Sequence, residues 1–478
     1  MAGRFKGLAL TFDDILLEPA ASSVLPAEVK ISTNLTQKIK LNIPILSAAM
    51  DTVTGSSMAI AIARLGGIGV IHRNLSIEEQ VQEVRKVKRS ESGMVSEPVT
   101  LPPEATLAEA KQLMSLHNIS GIPIVNGNKL KGIITQRDLR LETDLKKRIV
   151  DTMTSKSLIT ANSDVTLEEA ENLLKENKIE KLPIVDSVGN LKGLITWRDL
   201  SKLREYPLAV KDGRGRLLAA ASIGVGEEML QRAEVLVKEG ADILVIDTAH
   251  AHHKNVTKAT PILKKAFPKV QLIVGNIATK EAAAELIKRG VDAIKVGIGS
   301  GSICTTRDVA GVGVPQFTAI LECASVAKRY KIPVIADGGL VYPADIVKAI
   351  AAGASSVMLG NMIAGTDETP GDIMVTSDGR RYKKYRGMGS YEALQTRSND
   401  RYFSKEVPEG ISAKVPYKGL VASVIKKLVA SLRIGMGYYG ASRIDDLWKT
   451  KYRQVTTAGQ RESHPHDVIA DIEEETFH

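Results

Sequence analysis

Eight short apolar runs constrain the fold of this 478-residue chain more than any other feature of its sequence. Each run is apolar almost throughout instead of alternating, which is typical of parallel strands covered on both faces. Most are followed by a helical pattern, such as TKEAAAELIKRGV. The predicted strands are Ile43 to Ala49, Ile68 to His72, Leu217 to Val225, Ala241 to Asp247, Gln271 to Asn276, Asp292 to Gly297, Ile332 to Gly338 and Ser355 to Asn361. Eight such β–α units predict an α/β fold, a TIM (β/α)8 barrel.

Polar side chains fall at or just after the ends of these predicted strands. They are Asp51, Thr52, His72, Asn74, Asp247, Asn276, Asp337 and Asn361. In a TIM barrel the carboxyl ends of the strands build the active site, so we expect these residues to share one face. The alternative for each of them is a helix N-cap, which has no part in chemistry.

The chain between the second and third predicted strands is too long for one barrel helix and contains an internal repeat. Ile119 to Leu139 matches Ile179 to Leu200, and a repeated unit is expected to pack against its copy. We therefore predict an insert over about 93–205, with halves at 93–150 and 151–205, and barrel segments at 1–92 and 206–478. Its position favours a regulatory lobe on flexible links.

Composition excludes several classes of protein. The net charge of +9 comes from basic residues interleaved with acidic ones, and 4% aromatic residues offer few platforms for base stacking. A nucleic-acid partner is disfavoured, whereas an anionic ligand fits the charge. No apolar run is long enough to span a membrane, and the first residues lack a long apolar stretch, so we expect neither a membrane span nor a secretory leader. With two cysteines, a disulfide scaffold is excluded and a reducing cytoplasm is expected.

The segment VGIGSGSICTTRDVAGVGVPQ, from Val296 to Gln316, carries the strongest chemical signal. It places Cys304 among glycines, where backbone approaches a ligand closely and N–H groups can bind anions. Arg307 can favour the thiolate, which is the nucleophilic form. The alternative is an ordinary buried thiol. The second cysteine, Cys323, lies in a helical pattern and is predicted to be in the core.

A histidine cluster follows the fourth predicted strand, in the order His250, Ala251, His252 and His253. Three histidines within four residues do not form the i, i+4 helical pair of zinc sites, and no clear carboxylate ligand follows. We expect no metal at this position.

Several motifs carry a resemblance to a known family over essentially the whole chain. The segment GSICTTRDVAGVGVPQ resembles the active-site loop of the inosine-5′-monophosphate (IMP) dehydrogenase family. The other motifs are ILSAAMDTVT at 45–54, VIDTAH at 245–250, ADGG at 336–339, YRGMGS at 385–390, SNDRYF at 398–403 and VPEG at 407–410. Each half of the insert resembles a CBS domain, and the pair resembles a Bateman module, so the insert is expected to be a tandem CBS α+β domain.

The resemblance implies a reaction in two halves. Cys304 adds to C2 of IMP, and hydride leaves C2 for the nicotinamide of NAD. Water then hydrolyses the thioimidate to xanthosine monophosphate, with Arg401 as the base, Tyr402 beside it and Thr306 orienting the water. Substrate contacts are implied for Met50, Ser302, Asp337, Gly339, Gly360, Asn361, Tyr385, Met388, Gly389 and Glu409. Dinucleotide contacts are implied for Asp247, Asn276 and Gly297, and the carboxylate of Asp247 predicts NAD over NADP.

The resemblance also implies ligands beyond the two substrates. A potassium ion would lie on the carbonyls of Gly299, Gly301 and Cys304, and on Glu462, Ser463 and His464 of a neighbouring subunit. The protein is therefore expected to be a homo-oligomer, a tetramer or an octamer. Purine nucleotides would bind the insert at Thr135 with Asp138 and at Thr196 with Asp199.

Two other readings remain open. A GMP reductase shares this barrel and cysteine loop, but DRYF followed by VPEG favours the dehydrogenase, and the insert is expected to favour it also. A silent nucleotide-sensing barrel is disfavoured by the intact set of Cys304, Thr306, Arg401 and Tyr402. The chain departs from the family pattern at Asn361, where a phosphate-binding Ser is usual, and at Gly55, Ala251, Leu340 and Val341.

Overall fold

The computed structural model describes residues 6–90, 95, 98–117, 119–396 and 406–468, with only the backbone described at 167, 199 and 202–204. The chain forms two compact units. One comprises residues 1–90, 208–210 and 217–478, and the other comprises residues 91–207 and 211–216.

The strands divide between the barrel, the insert and three small sheets. In chain order they are β1 Ile15–Leu17, β2 Thr33–Asn34, β3 Lys40–Leu41, β4 Ile45–Ser47, β5 Ile68–Ile71, β6 Gly121–Asn126, β7 Lys129–Thr135, β8 Ala161–Asn162, β9 Lys181–Val185, β10 Leu191–Thr196, β11 Ala220–Ile223, β12 Ile243–Asp247, β13 Gln271–Ile277, β14 Ala293–Val296, β15 Val334–Asp337, β16 Ser356–Leu359, β17 Met374–Val375, β18 Arg381–Arg386, β19 Ser412–Pro416 and β20 Tyr452–Gln454.

The helices follow the same division. They are α1 Ser56–Arg64, α2 Ile77–Ser90, α3 Leu107–His117, α4 Gln136–Arg140, α5 Leu167–Glu176, α6 Trp197–Glu205, α7 Met229–Glu239, α8 Lys254–Ala266, α9 Lys280–Lys288, α10 Thr306–Ala310, α11 Gln316–Ala327, α12 Pro343–Ala351, α13 Tyr391–Leu394, α14 Val421–Tyr439 and α15 Thr457–Glu462. Short 3-10 helices occupy Ile149–Asp151, Lys328–Tyr330 and Ile444–Lys449.

Eight parallel strands close into a barrel in the order β4, β5, β11, β12, β13, β14, β15 and β16. Closure is made where β16 pairs with β4, with Val357 opposite Ile45. Seven of the predicted strands contain one of these strands, and β13 extends one residue beyond the predicted Gln271 to Asn276, so the TIM-barrel prediction is confirmed. The strands are buried along their length because helices cover the outside and side chains fill the interior.

The barrel helices begin and end where their sequences provide caps. The hydroxyl of Thr279 accepts the backbone N–H of Ala282 at the start of α9, whose buried face includes Ala283 and Leu286. Helix α7 ends at Gly240, whose φ of 108° is left-handed and favours glycine. Because such caps mark the ends of the barrel helices, the sequence predicts helices between the strands.

A three-stranded antiparallel sheet, β17–β18–β19, is added to the barrel unit after its last strand. Tyr385 and Arg386 form the end of β18, where they pair with Ala413 and Ser412 of β19. The sequence did not predict this sheet. It matters because it carries the YRGMGS motif to the carboxyl ends of the barrel strands.

The insert consists of two copies of a helix, an antiparallel strand pair and a second helix. The first copy is α3, β6, β7 and α4, and the second is α5, β9, β10 and α6. Each has its own apolar core, around Ile122 and Ile134 in the first and around Leu182 and Ile195 in the second. Within the described residues of both units, no helix is long and apolar enough to cross a membrane.

Candidate active site

A cleft opens at the carboxyl ends of the barrel strands, between strand ends β4 and β12–β16 and the loop after β18. It collects residues from widely separated motifs. Those of the predicted site that line it are Met50, Asn276, Gly297, Gly299, Gly301, Ser302, Cys304, Thr306, Asp337, Gly339, Gly360, Asn361, Tyr385, Met388 and Glu409. We expected the polar strand ends to share one face. This is clearest for β13 to β16, where Asn276, Cys304, Asp337 and Asn361 all line the cleft.

Cys304 lies half-buried in this cleft and has a polar relay beside it. Its Sγ is 3.2 Å from Oγ1 of Thr306, and that hydroxyl donates to Oε2 of Glu409 at 2.8 Å. A thiol, a hydroxyl and a carboxylate in series can pass a proton away from the sulfur or from a water beside it. The sequence did not predict that Glu409 would be the partner of Thr306.

Backbone hydrogen bonds join the cysteine loop to the VPEG segment. The N–H of Thr305 donates to the carbonyl of Glu409 at 3.0 Å, and the N–H of Ile411 donates to the carbonyl of Ile303 at 3.0 Å. The N–H of Glu409 donates in turn to the carbonyl of Gly389 at 3.0 Å. The nucleophile, its relay carboxylate and the YRGMGS loop are therefore held as one assembly.

Arg307 has a different role from the expected one. Its Nη2 donates to the carbonyl of Val314 at 2.7 Å and to that of Ile298 at 3.4 Å, so the guanidinium clamps the two ends of the loop. The described hydrogen-bond partner of the Cys304 side chain is Thr306. Arg307 thus shapes the loop and makes no described contact with the thiol. Cys323 is fully buried as predicted, and burial raises the pKa of its thiol.

A buried lysine joins the two carboxylates assigned to the riboses. Lys295 is 1% exposed, and its Nζ lies 3.0 Å from Oδ1 of Asp247 and 2.6 Å from Oδ2 of Asp337. It also donates to Oδ1 of Asn276, whose amide donates to Asp337 at 2.9 Å. Asp247 is 2% exposed, so it lies behind the cleft wall formed by its neighbours Thr248 and Ala249. The sequence signal for Lys295 is a single charged residue inside the otherwise apolar strand β14, AIKV.

Gly360 leaves open space in the cleft beside Tyr385 and Met50. A Cβ on Gly360 would lie 2.9 Å from the hydroxyl of Tyr385 and 3.5 Å from Sδ of Met50, so a side chain there would fill the cleft. Burial raises the pKa of Tyr385 to about 12, partly offset by a hydrogen bond with Ser302. Tyr385 is therefore a neutral hydrogen-bonding group in this part of the cleft.

The first two strand ends build a separate polar network. Arg386 pairs with Asp51, Asn74 donates to Asp51 at 2.7 Å, and Thr396 donates to Asn74 at 2.8 Å. His72 is buried beside them, and burial lowers the pKa of its imidazole. These residues tie the YRGMGS loop to β4 and β5 and do not line the cleft.

The remaining predicted site residues lie elsewhere or outside the described chain. Arg401 and Tyr402 fall in 397–405, outside the described residues. Glu462, Ser463 and His464 lie at the end of α15, where the ring of His464 is 5.0 Å from that of Tyr342. Thr135 and Asp138 form a capping box at the start of α4, and the side chain of Asp199, beside Thr196, is not described. The rings of His250 and His252 meet edge to face with their centroids 6.2 Å apart. Within the described residues, no group of three or more His, Cys, Asp or Glu could hold a metal ion.

Comparison with known proteins places this architecture in a family. The IMP dehydrogenase / GMP reductase domain matches residues 9–466 of the chain. The chain belongs to this family. Relatives named inosine-5′-monophosphate dehydrogenase are 56% identical in Aquifex aeolicus, covering 96% of this chain and 95% of the relative, and 53% identical in Helicobacter pylori, covering 96% of each.

A solved family member also matches the fold. It is a cysteine-to-alanine variant of GMP reductase from Trypanosoma brucei in complex with guanosine 5′-monophosphate, with a TM-score of 0.90 and 41% identity. The match covers 98% of this chain and 99% of that protein, so it includes the insert. Contrary to expectation, the presence of the insert therefore does not distinguish an IMP dehydrogenase from a GMP reductase.

Proposed function

We propose that this protein oxidises IMP to xanthosine monophosphate with NAD, committing purine synthesis toward guanine nucleotides. The observation that carries the proposal is the series Cys304, Thr306 and Glu409, held in a cleft whose far end has room for a phosphate. Relatives of 51–56% identity over nearly the full chain, named IMP dehydrogenase, support this activity above that of the reductase.

In the first half-reaction, the thiol of Cys304 loses its proton through Thr306 toward Glu409, and the sulfur adds to C2 of the purine. The nicotinamide of NAD supplies the hydride acceptor when it is bound. Asp337 accepts hydrogen bonds from the ribose hydroxyls of IMP, and Lys295 holds that carboxylate in place. The product of this half is a thioimidate on Cys304.

In the second half-reaction, water adds to C2, the C–S bond breaks and the thiol is restored. One water is consumed and one proton released over the whole cycle. Arg401 with Tyr402 is the proposed base, and the Thr306–Glu409 pair offers a second route for the proton. Met388, Gly389 and Met50 would position the purine above the sulfur.

Two of the three residues assigned to NAD lie in the cleft, where an extended dinucleotide would contact them. Gly297 and Asn276 line the cleft, as do Thr248 and Ala249. The φ of Gly297 is 149°, and a Cβ there would lie 1.9 Å from the carbonyl of Asp337, so only glycine keeps this wall open. Asp247 does not line the cleft, so its assignment to the nicotinamide ribose stays a prediction from the resemblance.

Three finer assignments extend the proposal. Potassium would bind the carbonyls of Gly299, Gly301 and Cys304 together with Glu462, Ser463 and His464 of a neighbour, which requires a homo-oligomer, most simply a tetramer. Purine nucleotides would bind the insert near Thr135 and Thr196. The two free cysteines support a cytoplasmic location.

The test is spectrophotometric. Purified protein mixed with IMP and NAD should raise the absorbance of NADH and yield xanthosine monophosphate. The observation behind the second candidate function, that of a GMP reductase, is the match to the Trypanosoma brucei enzyme. Oxidation of NADPH with GMP, in the absence of any reaction with IMP and NAD, would replace our proposal with that activity.

A further inference from the structure

The loop between β14 and α11, which carries Cys304, ends at a buried glutamine that has no role in either half-reaction above. Gln316 follows Pro315 as the first residue of α11, and it is 2% exposed. Burying a side-chain amide is costly unless its polar atoms form hydrogen bonds. The contacts of this amide therefore show what it does.

The amide of Gln316 closes this loop on itself. Its Nε2 donates to the carbonyl of Val296 at 2.8 Å, and Val296 is the last residue of β14. Arg307 holds the next part of the loop through the carbonyls of Ile298 and Val314. The loop is thus fixed at its root by Gln316 and farther along by Arg307.

The same amide also holds the end of the neighbouring strand. Nε2 of Gln316 donates to the carbonyl of Asp337, the last residue of β15, at 3.2 Å. Strands β14 and β15 are parallel neighbours, and their register ends at the pair of Val296 and Ala336. A side-chain amide has two N–H groups, so this one can join both strands where their own ladder stops.

The carbonyl of Asp337 is held from the cysteine loop as well. Oγ of Ser300 donates to it at 3.1 Å, and a Cβ on Gly297 would lie 1.9 Å from it. The stem of Gln316 packs against the turn that follows, where a Cβ on Gly339 would lie 3.1 Å from that of Gln316. Because the carbonyl and the side chain of Asp337 are attached to the same Cα, fixing the carbonyl also fixes the direction of the carboxylate.

The oxygen of the amide shows that packing alone does not explain this residue. Both neighbours of the amide are acceptors, so its nitrogen and not its oxygen must face them. Oε1 of Gln316 is buried and accepts no hydrogen bond from the described residues. A buried acceptor without a donor costs stability, and an apolar side chain of similar length would avoid that cost. The two donated hydrogen bonds are therefore what the glutamine contributes.

We propose that Gln316 is a positioning residue, which fixes the root of the cysteine loop and the carboxylate of Asp337 relative to each other. That carboxylate is the proposed anchor of the ribose, and the loop carries the sulfur of Cys304. The amide thereby sets the distance between the ribose anchor and the nucleophile. This inference deepens the proposed function and rests on it for the contact between the ribose and Asp337.

The test compares Gln316→Met, which removes both donated hydrogen bonds at similar side-chain length, with Gln231→Met. Gln231 is an exposed glutamine of α7 and provides the matched control. We expect Gln316→Met to slow the pre-steady-state formation of NADH about 10–100-fold, because a small displacement of the reacting groups is enough for such a loss. The dissociation constant of IMP, measured by equilibrium titration without NAD, should change less, because Asp337 itself remains.

Gln316→Glu supplies a readout that a general loss of packing would not give. The introduced carboxyl faces two carbonyls in a buried site, so its pKa should be raised. Its ionised form can donate to neither carbonyl, whereas its protonated form can donate one hydrogen bond. The rate of NADH formation by this variant should therefore recover, relative to that of Gln316→Met, as the pH falls from about 8 to about 6. Titration of the Cys304 thiol affects both variants and cancels in the comparison.

Two outcomes would overturn the inference. One is a Gln316→Met variant that forms NADH as fast as Gln231→Met does. The other is a ratio of the rates of Gln316→Glu and Gln316→Met that does not change with pH. If Gln316→Met does not fold, the pH series of Gln316→Glu against wild type decides. Failure of the proposed function is distinguishable, because a wild-type protein that oxidises NADPH with GMP and forms no NADH from IMP refutes that activity, and the same variants are then compared in the reductase reaction.

Discussion

At the scale of single residues, the different roles proposed for Cys304 and Arg401 give the most direct prediction. Hydride transfer needs the thiol but not the water, so Arg401→Ala should leave a burst of NADH near one equivalent per active site. Steady turnover should fall about 10²–10⁴-fold, the usual contribution of a general base. Stopped-flow absorbance and mass spectrometry of trapped purine on Cys304 measure both. If the burst disappears with turnover, the hydrolytic role of Arg401 is wrong.

Cys304→Ala is the matched control for that experiment. It should abolish the burst itself while leaving the fold intact, since the thiol is half-buried and its described hydrogen-bond partner is a hydroxyl. A burst that survives this change would mean that the covalent step does not occur at this residue.

Lys295 gives a second prediction at this scale, on stability. Lys295→Met would leave the buried Asp247 and the half-buried Asp337 without their shared ammonium, so the free energy of unfolding should fall by about 3–5 kcal/mol. Denaturant titration measures it, with the exposed Lys288→Met as control, where a change within about 0.5 kcal/mol is expected. Equal stability of the two variants would show that the buried cluster tolerates its loss.

At the scale of elements, the sequence predicted the barrel well and the site unevenly. Runs such as ADILVID read as buried parallel strands because their apolar character is continuous, and helix caps such as Thr279 are local signals. The β17–β19 sheet was missed because β17 has only two residues and β18, RYKKYR, is mostly basic, so neither has the apolar run typical of a strand. The pairing of Thr306 with Glu409 was missed because 103 residues separate them and no local pattern encodes that contact.

The insert is the element whose removal is most informative. Deleting about residues 93–205 should leave catalysis largely intact, because every described lining residue of the cleft lies outside that range. It should abolish any response of the rate to purine nucleotides. Assays of both on a folded deletion variant test this, and complete loss of activity would contradict a regulatory role.

At the scale of the whole molecule, the proposed potassium site makes assembly a condition of activity. Truncation before Glu462 should abolish activation by potassium, because each truncated subunit lacks Glu462, Ser463 and His464, which are proposed to bind the ion of its neighbour. Rates with and without potassium, together with the mass in solution, measure this. Potassium activation that persists after truncation would show the ligand assignment to be wrong.

The connection of the insert has a consequence for how such a chain could have been assembled. The chain leaves the barrel after α2, which follows β5, and returns at β11, and β5 and β11 are hydrogen-bonded neighbours. For the barrel, the insert is one long loop between two adjacent strands. The entropic cost of closing a loop rises only slowly with its length. A different domain with close ends could replace the present one here without altering a single strand pairing. The inserted domain could therefore change in evolution while the barrel and its cleft stay the same.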